Sequence, residues 1–321
     1  MDFANLVDNL GDHIVNGLSK GAIYALVALG YTLVYGVLRL INFAHSEVFM
    51  VGTWAVLGVY SALAVSAGSS VPMIALALVL GLVAAVISSA AVALAVDRVA
   101  YRPLRKKNAP PLIYLITAIG CSLVLMELFG FVFKVFFGPP FGRALVSMPT
   151  LVPNKTVLTL GDTQITNIQI VVVVGALLMM FALDAFVNRS RLGRGVRAVA
   201  QDPDTAALMG VNKDRVIMLV FVLGGAMAGV AAFLYCLRFG ITKFDIGFLI
   251  GIKAFTAAVL GGIGNLRGAL VGGLLLGIVE SFSSALFSSN WQDVTAFIVL
   301  VVVLMFRPTG ILGESLGKAR A

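Results

Sequence analysis

The chain has 321 residues, 60% of them hydrophobic and 12% charged, with a formal net charge of +8. A soluble domain is about 25% charged, so this composition excludes a soluble globular protein of that length and points to a polytopic membrane protein. The positive excess fits basic residues held on the cytoplasmic side of membrane spans; with no aromatic and basic platform beside it, nucleic acid is excluded as a partner.

The chain starts with "MDFANLVDNLGDH", acidic and without the Lys or Arg of a signal-peptide n-region. Apolar runs close to the roughly 20 residues that cross a bilayer follow one another. The first covers 14–36 and leads into "RLINFAHSEVF", where Arg39, Asn42, His45 and Glu47 are too polar to face lipid. Two readings stand side by side. In one, Asn42, Phe43, His45 and Glu47 form a broken helix or gate on a transport pathway. In the other, this is a cytoplasmic turn whose Asn42 and His45 cap helix ends.

Runs at 46–66 and 71–96 come next, then "DRVAYRPLRKKN", in which Arg98, Arg102, Arg105, Lys106 and Lys107 face one acid, Asp97. The run 111–137 holds Cys121; like Cys236 further on, it reads as a small buried hydrophobe, with no disulfide framework or metal set suggested. The segment 138–167 is the longest loop between runs, and its Val and Thr alternation around "PNK" reads as a small hairpin. It is expected on the periplasmic side, either as a solvated connector or as a surface that receives a partner.

After the run 168–187, the segment 188–215 carries Arg189, Arg191, Arg194, Arg197, Lys213 and Arg215. Within it Asp202 is a good N-cap, Pro203 suits the first helical position, Asp204 is a first-turn acid and Gly210 a natural stop. The helix expected over 203–210 is too short to hold alone in water. Its Ala206, Ala207, Leu208 and Met209 gain little there unless another protein covers them, and Arg194 and Arg197 are placed to position it by charge.

The last runs are 216–238, 246–264, 268–288 and 291–306, which brings the expected spans to nine within a range of eight to ten. "GGIGNLRGALVGGLLLG" is rich in small residues that let helices approach closely. Lys253 and Glu280 lie nearly symmetrically about the turn at Leu266 and Arg267, which predicts a pair at equal depth in the outer half of the membrane. The other charges inside runs, Lys20, Glu127 and Lys134, read as helix pairing or snorkelling, with an ion relay as the rival reading. The junctions near Asn42 and near Asn265 form a possible repeat, and Gly261, Gly262, Gly264 and Asn265 join the first junction as candidate pathway or gate residues. With the N-terminus periplasmic and nine spans, every basic cluster, including Arg267, Arg307, Lys318 and Arg320, falls in the cytoplasm together with the C-terminus.

Residues 204–210 resemble the coupling loop of ABC importer permeases, whose pattern is Glu-Ala-Ala, three residues, then Gly. Here Asp204, Thr205, Ala206 and Gly210 take those places, with Asp for Glu and Thr for the first Ala. "GLSKGAIYALVALGYTLVYGVLRLINFAHSEVFMVG", "KAFTAAVLGGIGNLRGALVGGLLLGIVES" and "FRPTGILGE" resemble branched-chain amino-acid permeases of the LivH type over nearly the whole chain. A Gly commonly follows the His of "NFAH" in that family; Ser46 stands there in this chain. The resemblance implies an all-α transmembrane bundle in the bacterial inner membrane, one permease domain over 1–321, with 188–215 as the coupling loop. It also implies a second, related permease in a heterodimer, two cytoplasmic ATPases that bind ATP and Mg, and a periplasmic protein that delivers leucine, isoleucine or valine. This chain has no Walker A pattern, HExxH or other enzyme constellation, so no cofactor or metal of its own is expected. The rivals are the same fold carrying urea, short amides or other amino acids, an ion-coupled transporter, and a passive channel.

Overall fold

The computed structural model describes residues 6, 8–138 and 143–313; Lys318 and Arg320, expected in the cytoplasm, lie outside them. Helices dominate. In chain order they are α1 (Leu10–Leu38), α2 (His45–Ala62), α3 (Val71–Val96), α4 (Pro111–Phe137), α5 (Asn167–Arg189), α6 (Arg191–Gln201), α7 (Pro203–Leu208), α8 (Lys213–Phe239), α9 (Ile246–Gly261), α10 (Leu266–Leu286) and α11 (Gln292–Phe306). α3 runs on through a π-helical turn, Asp97–Tyr101, and one further α-turn to Lys106. Four short strands are β1 (Val146–Ser147), β2 (Thr156–Leu160), β3 (Thr163–Thr166) and β4 (Ile241–Thr242).

Each expected apolar run contains a helix, and among the described residues seven helices are long and apolar enough to cross a membrane. The two others differ for separate reasons. α2 begins with His45 and Glu47, which lower its mean hydropathy, and α9 has 16 residues, about 24 Å of rise against a hydrocarbon core of about 30 Å. The ends follow local chemistry. Pro110 and Pro111 open α4, Asn212 caps α8 by accepting from the Arg215 N–H, and Gly240 closes α8 in the left-handed region that a side chain disfavours.

The chain divides into two compact units. The first gathers 1–32, 154–184 and 252–321. There α1 meets α10 through glycines: a Cβ on Gly21 would sit 2.5 Å from the Gly273 carbonyl oxygen, and one on Gly277 2.3 Å from that of Gly17. Contact this close gives dispersion without a hydrophobic driving force, the packing mode suited to lipid. β2 and β3 pair antiparallel. The expected hairpin is present, but its turn is at Gly161 and Asp162, and "PNK" precedes the first strand, because Gly161 takes the positive φ that a tight hairpin needs.

The second unit gathers 33–153 and 185–251. α2, α3 and α8 form its core. Gly225 and Gly229 of α8 lie against Ala90 and Ala85 of α3, and Gly52 of α2 lies against Ala232 and Ser89. Trp54 stacks on Phe133 of α4 with ring centroids 3.6 Å apart. β1 pairs with β4 antiparallel.

Candidate functional site

The segment 188–215, expected as the coupling loop, forms two helices, where the residue pattern gave one. Ser190 caps α6, its hydroxyl accepting from the Gly193 N–H at 2.8 Å. Gly193, Val196 and Val199 are buried at a spacing of three, and Arg191, Arg194 and Arg197 are exposed on another face. Gly193 is required: a Cβ there would lie 2.3 Å from the carbonyl oxygens of both Phe186 and Val187. Arg197 donates to the Val187 carbonyl, so the start of the segment is pinned to the end of α5.

α7 follows after one residue. Asp202 Oδ1 accepts from the N–H groups of Asp204 at 2.9 Å and Thr205 at 3.1 Å, and the Thr205 hydroxyl donates to Oδ2 at 2.5 Å. That hydroxyl above all, then the backbone N–H groups, holds the Asp202 carboxyl below the usual carboxylate range. The cap is therefore complete at neutral pH and is lost only as pH falls through the lowered value. Thr205, a departure from the family pattern, closes the cap. Gly210 has φ +86 just beyond the helix end. Ala206 is buried, whereas Leu208 is 88% and Met209 81% exposed; Pro203, Asp204 and Ala207 are exposed as well.

The "NFAH" turn belongs to the same unit. Arg39 has φ +54, and its Nη2 donates to the Ala200 carbonyl at 3.3 Å, two residues before the α7 cap. Asn42 is buried and its Oδ1 accepts from the Tyr101 hydroxyl at 3.1 Å. The capping reading of Asn42 and His45 fails for α2: Ala44 holds the cap position with no side-chain bond, and His45 is the first helical residue, buried. Phe43 is half-buried. Glu47 is fully buried; Oε1 accepts from Ser122 at 3.1 Å and lies 3.2 Å from Ser46 Oγ, and Oε2 has no hydrogen bond. Ser46 also donates to Phe43 O at 2.7 Å. The Ser46 backbone carbonyl oxygen would be 2.4 Å from a Cβ on Gly247, so the backbone of α2 comes close to that of α9 here.

The glycine junction lies in the first unit. Gly262 (φ +108) and Gly264 (φ +99) make the turn between α9 and α10, and Asn265 caps α10 by accepting from Arg267 and Gly268. Asn265 Nδ2 donates to Leu312 O at 2.8 Å, and Leu312 N–H donates to Gly261 O at 3.0 Å. These residues bind the chain's later segment to the hairpin. Lys253 Nζ lies 2.5 Å from Glu280 Oε1 and 2.7 Å from Asp293 Oδ1, and Tyr24 donates to Glu280 Oε2 at 2.7 Å.

Arg39, Tyr101, Ser122 and Asp293 are thus partners that residue reasoning did not assign; only Arg39 gave a signal, as a charge at the junction. Among the described residues no three His, Cys, Asp or Glu side chains gather to hold a metal.

The family described as branched-chain amino acid transport system / permease component matches residues 13–304. The chain is 45% identical over 304 residues to the high-affinity branched-chain amino acid transport system permease protein BraD of Pseudomonas aeruginosa, covering 94% of this chain and 95% of that one. It is 42% identical over 302 residues to the LivH permease of the corresponding system in Escherichia coli K12, covering 93% and 94%. It is 26% identical over 329 residues to a probable branched-chain amino acid transport permease protein LivH of Methanocaldococcus jannaschii, covering 98% and 97%.

Proposed function

The chain belongs to the branched-chain amino acid transport system permease family, and on that premise we propose that it is the membrane-spanning subunit of an ATP-driven importer of leucine, isoleucine and valine. It works in the bacterial inner membrane with a related permease. A periplasmic binding protein delivers substrate from outside, and two cytoplasmic ATPases, which bind ATP and Mg, supply the energy. This chain translocates and does no covalent chemistry. It crosses nine times with its N-terminus periplasmic, α2 and α9 included as spans. The hairpin of β2 and β3 faces the periplasm; exposed Val157, Leu158 and Leu160 suit it to a partner's surface.

The observation that carries this reading is α7: a helix of 6 residues with its own cap and stop, with Leu208 and Met209 left exposed. Such a helix is marginal alone and is held by the segment on either side, which is what a peg for an ATPase groove requires. Movement of the peg reaches the pathway through hydrogen bonds: Asp202 starts α7, Ala200 lies in the last turn of α6, Arg39 bonds Ala200, and the turn after Arg39 carries Asn42 and α2.

The test is Leu208→Asp, which puts a charge into an apolar groove, a costly burial unless paired. The variant is expected to reach the membrane at the wild-type level, lose its ATPases on purification and show no ATP-driven leucine uptake. Undiminished ATPase recovery with normal uptake would remove α7 from the coupling path.

A further inference from the structure

In the second unit, the π-helical end of α3 and the start of α8 enclose a cavity of about 170 Å³ lined by Asp97, Arg98, Arg102, Asn212, Asp214, Arg215 and Met218. We propose that it binds the phosphate of an anionic phospholipid headgroup. Its electrostatics are set by four guanidiniums against two carboxylates. Arg105 Nη1 binds Asp97 at 2.7 Å, and its Nη2 lies 3.8 Å from Asp214, so both lining acids are compensated from one side. Arg102 approaches Asp214 only to 3.9 Å. Among the described residues Arg98 and Arg215 have no carboxylate within ion-pair distance, and Arg105 Nε and Nη2 are buried without a hydrogen bond. Guanidiniums at the cavity wall without a carboxylate partner favour an oxyanion.

The backbone adds to this. The π turn is a rare local form that often marks functional sites. Here it carries Arg98 and buries Asp97 at the place where the chain leaves its long apolar helix. α8 starts at the same cavity, and the N-terminal amides of a 27-residue helix favour an anion. A planar guanidinium fork matches phosphate oxygens two at a time. A lipid is favoured over a free anion by what surrounds the charges. Val99, between the π-turn residues, is 79% exposed, and the apolar stretch of α3 leading there is only 17% buried. The cavity thus lies at the end of an outward-facing apolar surface, where acyl chains would lie with the phosphate at its rim; basic pockets beside membrane helices take anionic headgroups in this way.

Full-length protein, purified and delipidated in mild detergent, is titrated with phosphatidylglycerol, with phosphatidylethanolamine and, separately, with inorganic phosphate, and retained lipid is counted by native mass spectrometry. Wild type is expected to retain phosphatidylglycerol in preference to phosphatidylethanolamine. Arg98→Gln and Arg215→Gln should each weaken retention about fivefold, the size expected for one basic side chain near an anionic surface. Lys106→Gln, which removes a neighbouring charge outside the cavity lining, should change nothing. Asp214→Asn removes a repelling carboxylate and should tighten retention, a gain that misfolding does not imitate. Equal retention by wild type and the Arg98→Gln/Arg215→Gln double variant would overturn the site. Binding of inorganic phosphate at the same affinity as the lipid would overturn the lipid as its occupant.

Discussion

Lys253 has two acids within 2.7 Å, and they are unequal: the Glu280 side chain is fully buried and the Asp293 side chain is 47% exposed. The two single substitutions should therefore differ. Glu280→Gln leaves Lys253 with Asp293. Lys253→Met leaves a buried carboxylate with only the Tyr24 hydroxyl, and breaking a buried pair in that way costs about 3–5 kcal/mol. Thermal unfolding in detergent is expected to rank Lys253→Met well below Glu280→Gln, with the Lys253→Met/Glu280→Met double variant recovering most of the loss. Additive effects would mean that the pair is not energetically coupled. The Lys253–Glu280 contact was legible because equal distances from one helical turn give equal depth. Tyr24 and Asp293 were not, since they come from α1 and α11, and nothing in a single sequence says which other helices surround the hairpin.

At the scale of elements, α7 was readable from Asp202 to Gly210 because caps and stops are local signals. α6 was not, although its signals were there: Ser190 as a cap, and Gly193, Val196 and Val199 opposite three arginines. Two glycines in 11 residues lower helix propensity by about 1 kcal/mol each, and here tertiary packing against α5 overrides that, with Gly193 retained because any side chain would strike the α5 carbonyls. The junction between α6 and the turn at Arg39 gives a specific expectation. Glycine adopts positive φ readily, so Arg39→Gly keeps the turn and removes only the bond to Ala200. ATPases should co-purify with that variant at the wild-type level, and leucine taken up per ATP hydrolysed in proteoliposomes should fall. An unchanged ratio would show that the Arg39 bond transmits nothing.

At the scale of the whole molecule, each of the nine apolar runs contains a helix, and among the described residues seven helices are long and apolar enough to cross a membrane, because length and hydropathy are summed over many residues and tolerate local errors. The division into two units was not legible: each unit is assembled from segments far apart in the chain, and three of the four crossings between them fall inside α1, α5 and α9, where the pattern does not change. The orientation rests on charge. Arg98, Arg102, Arg105, Lys106 and Lys107 follow α3, and Arg189, Arg191, Arg194 and Arg197 lie at or beyond the end of α5, so both clusters are expected on one side, which the positive-inside rule predicts to be the cytoplasm. The hairpin at 156–166, between α4 and α5, is then expected on the opposite side. Single cysteines at Lys107 and Thr159, both exposed positions, test this in a background with Cys121 and Cys236 replaced by alanine. A membrane-impermeant maleimide added to intact spheroplasts is expected to label the Thr159→Cys protein at once and the Lys107→Cys protein only after the membrane is opened. The reverse order would invert the chain in the membrane, move α7 to the outside and leave it with no ATPase to meet.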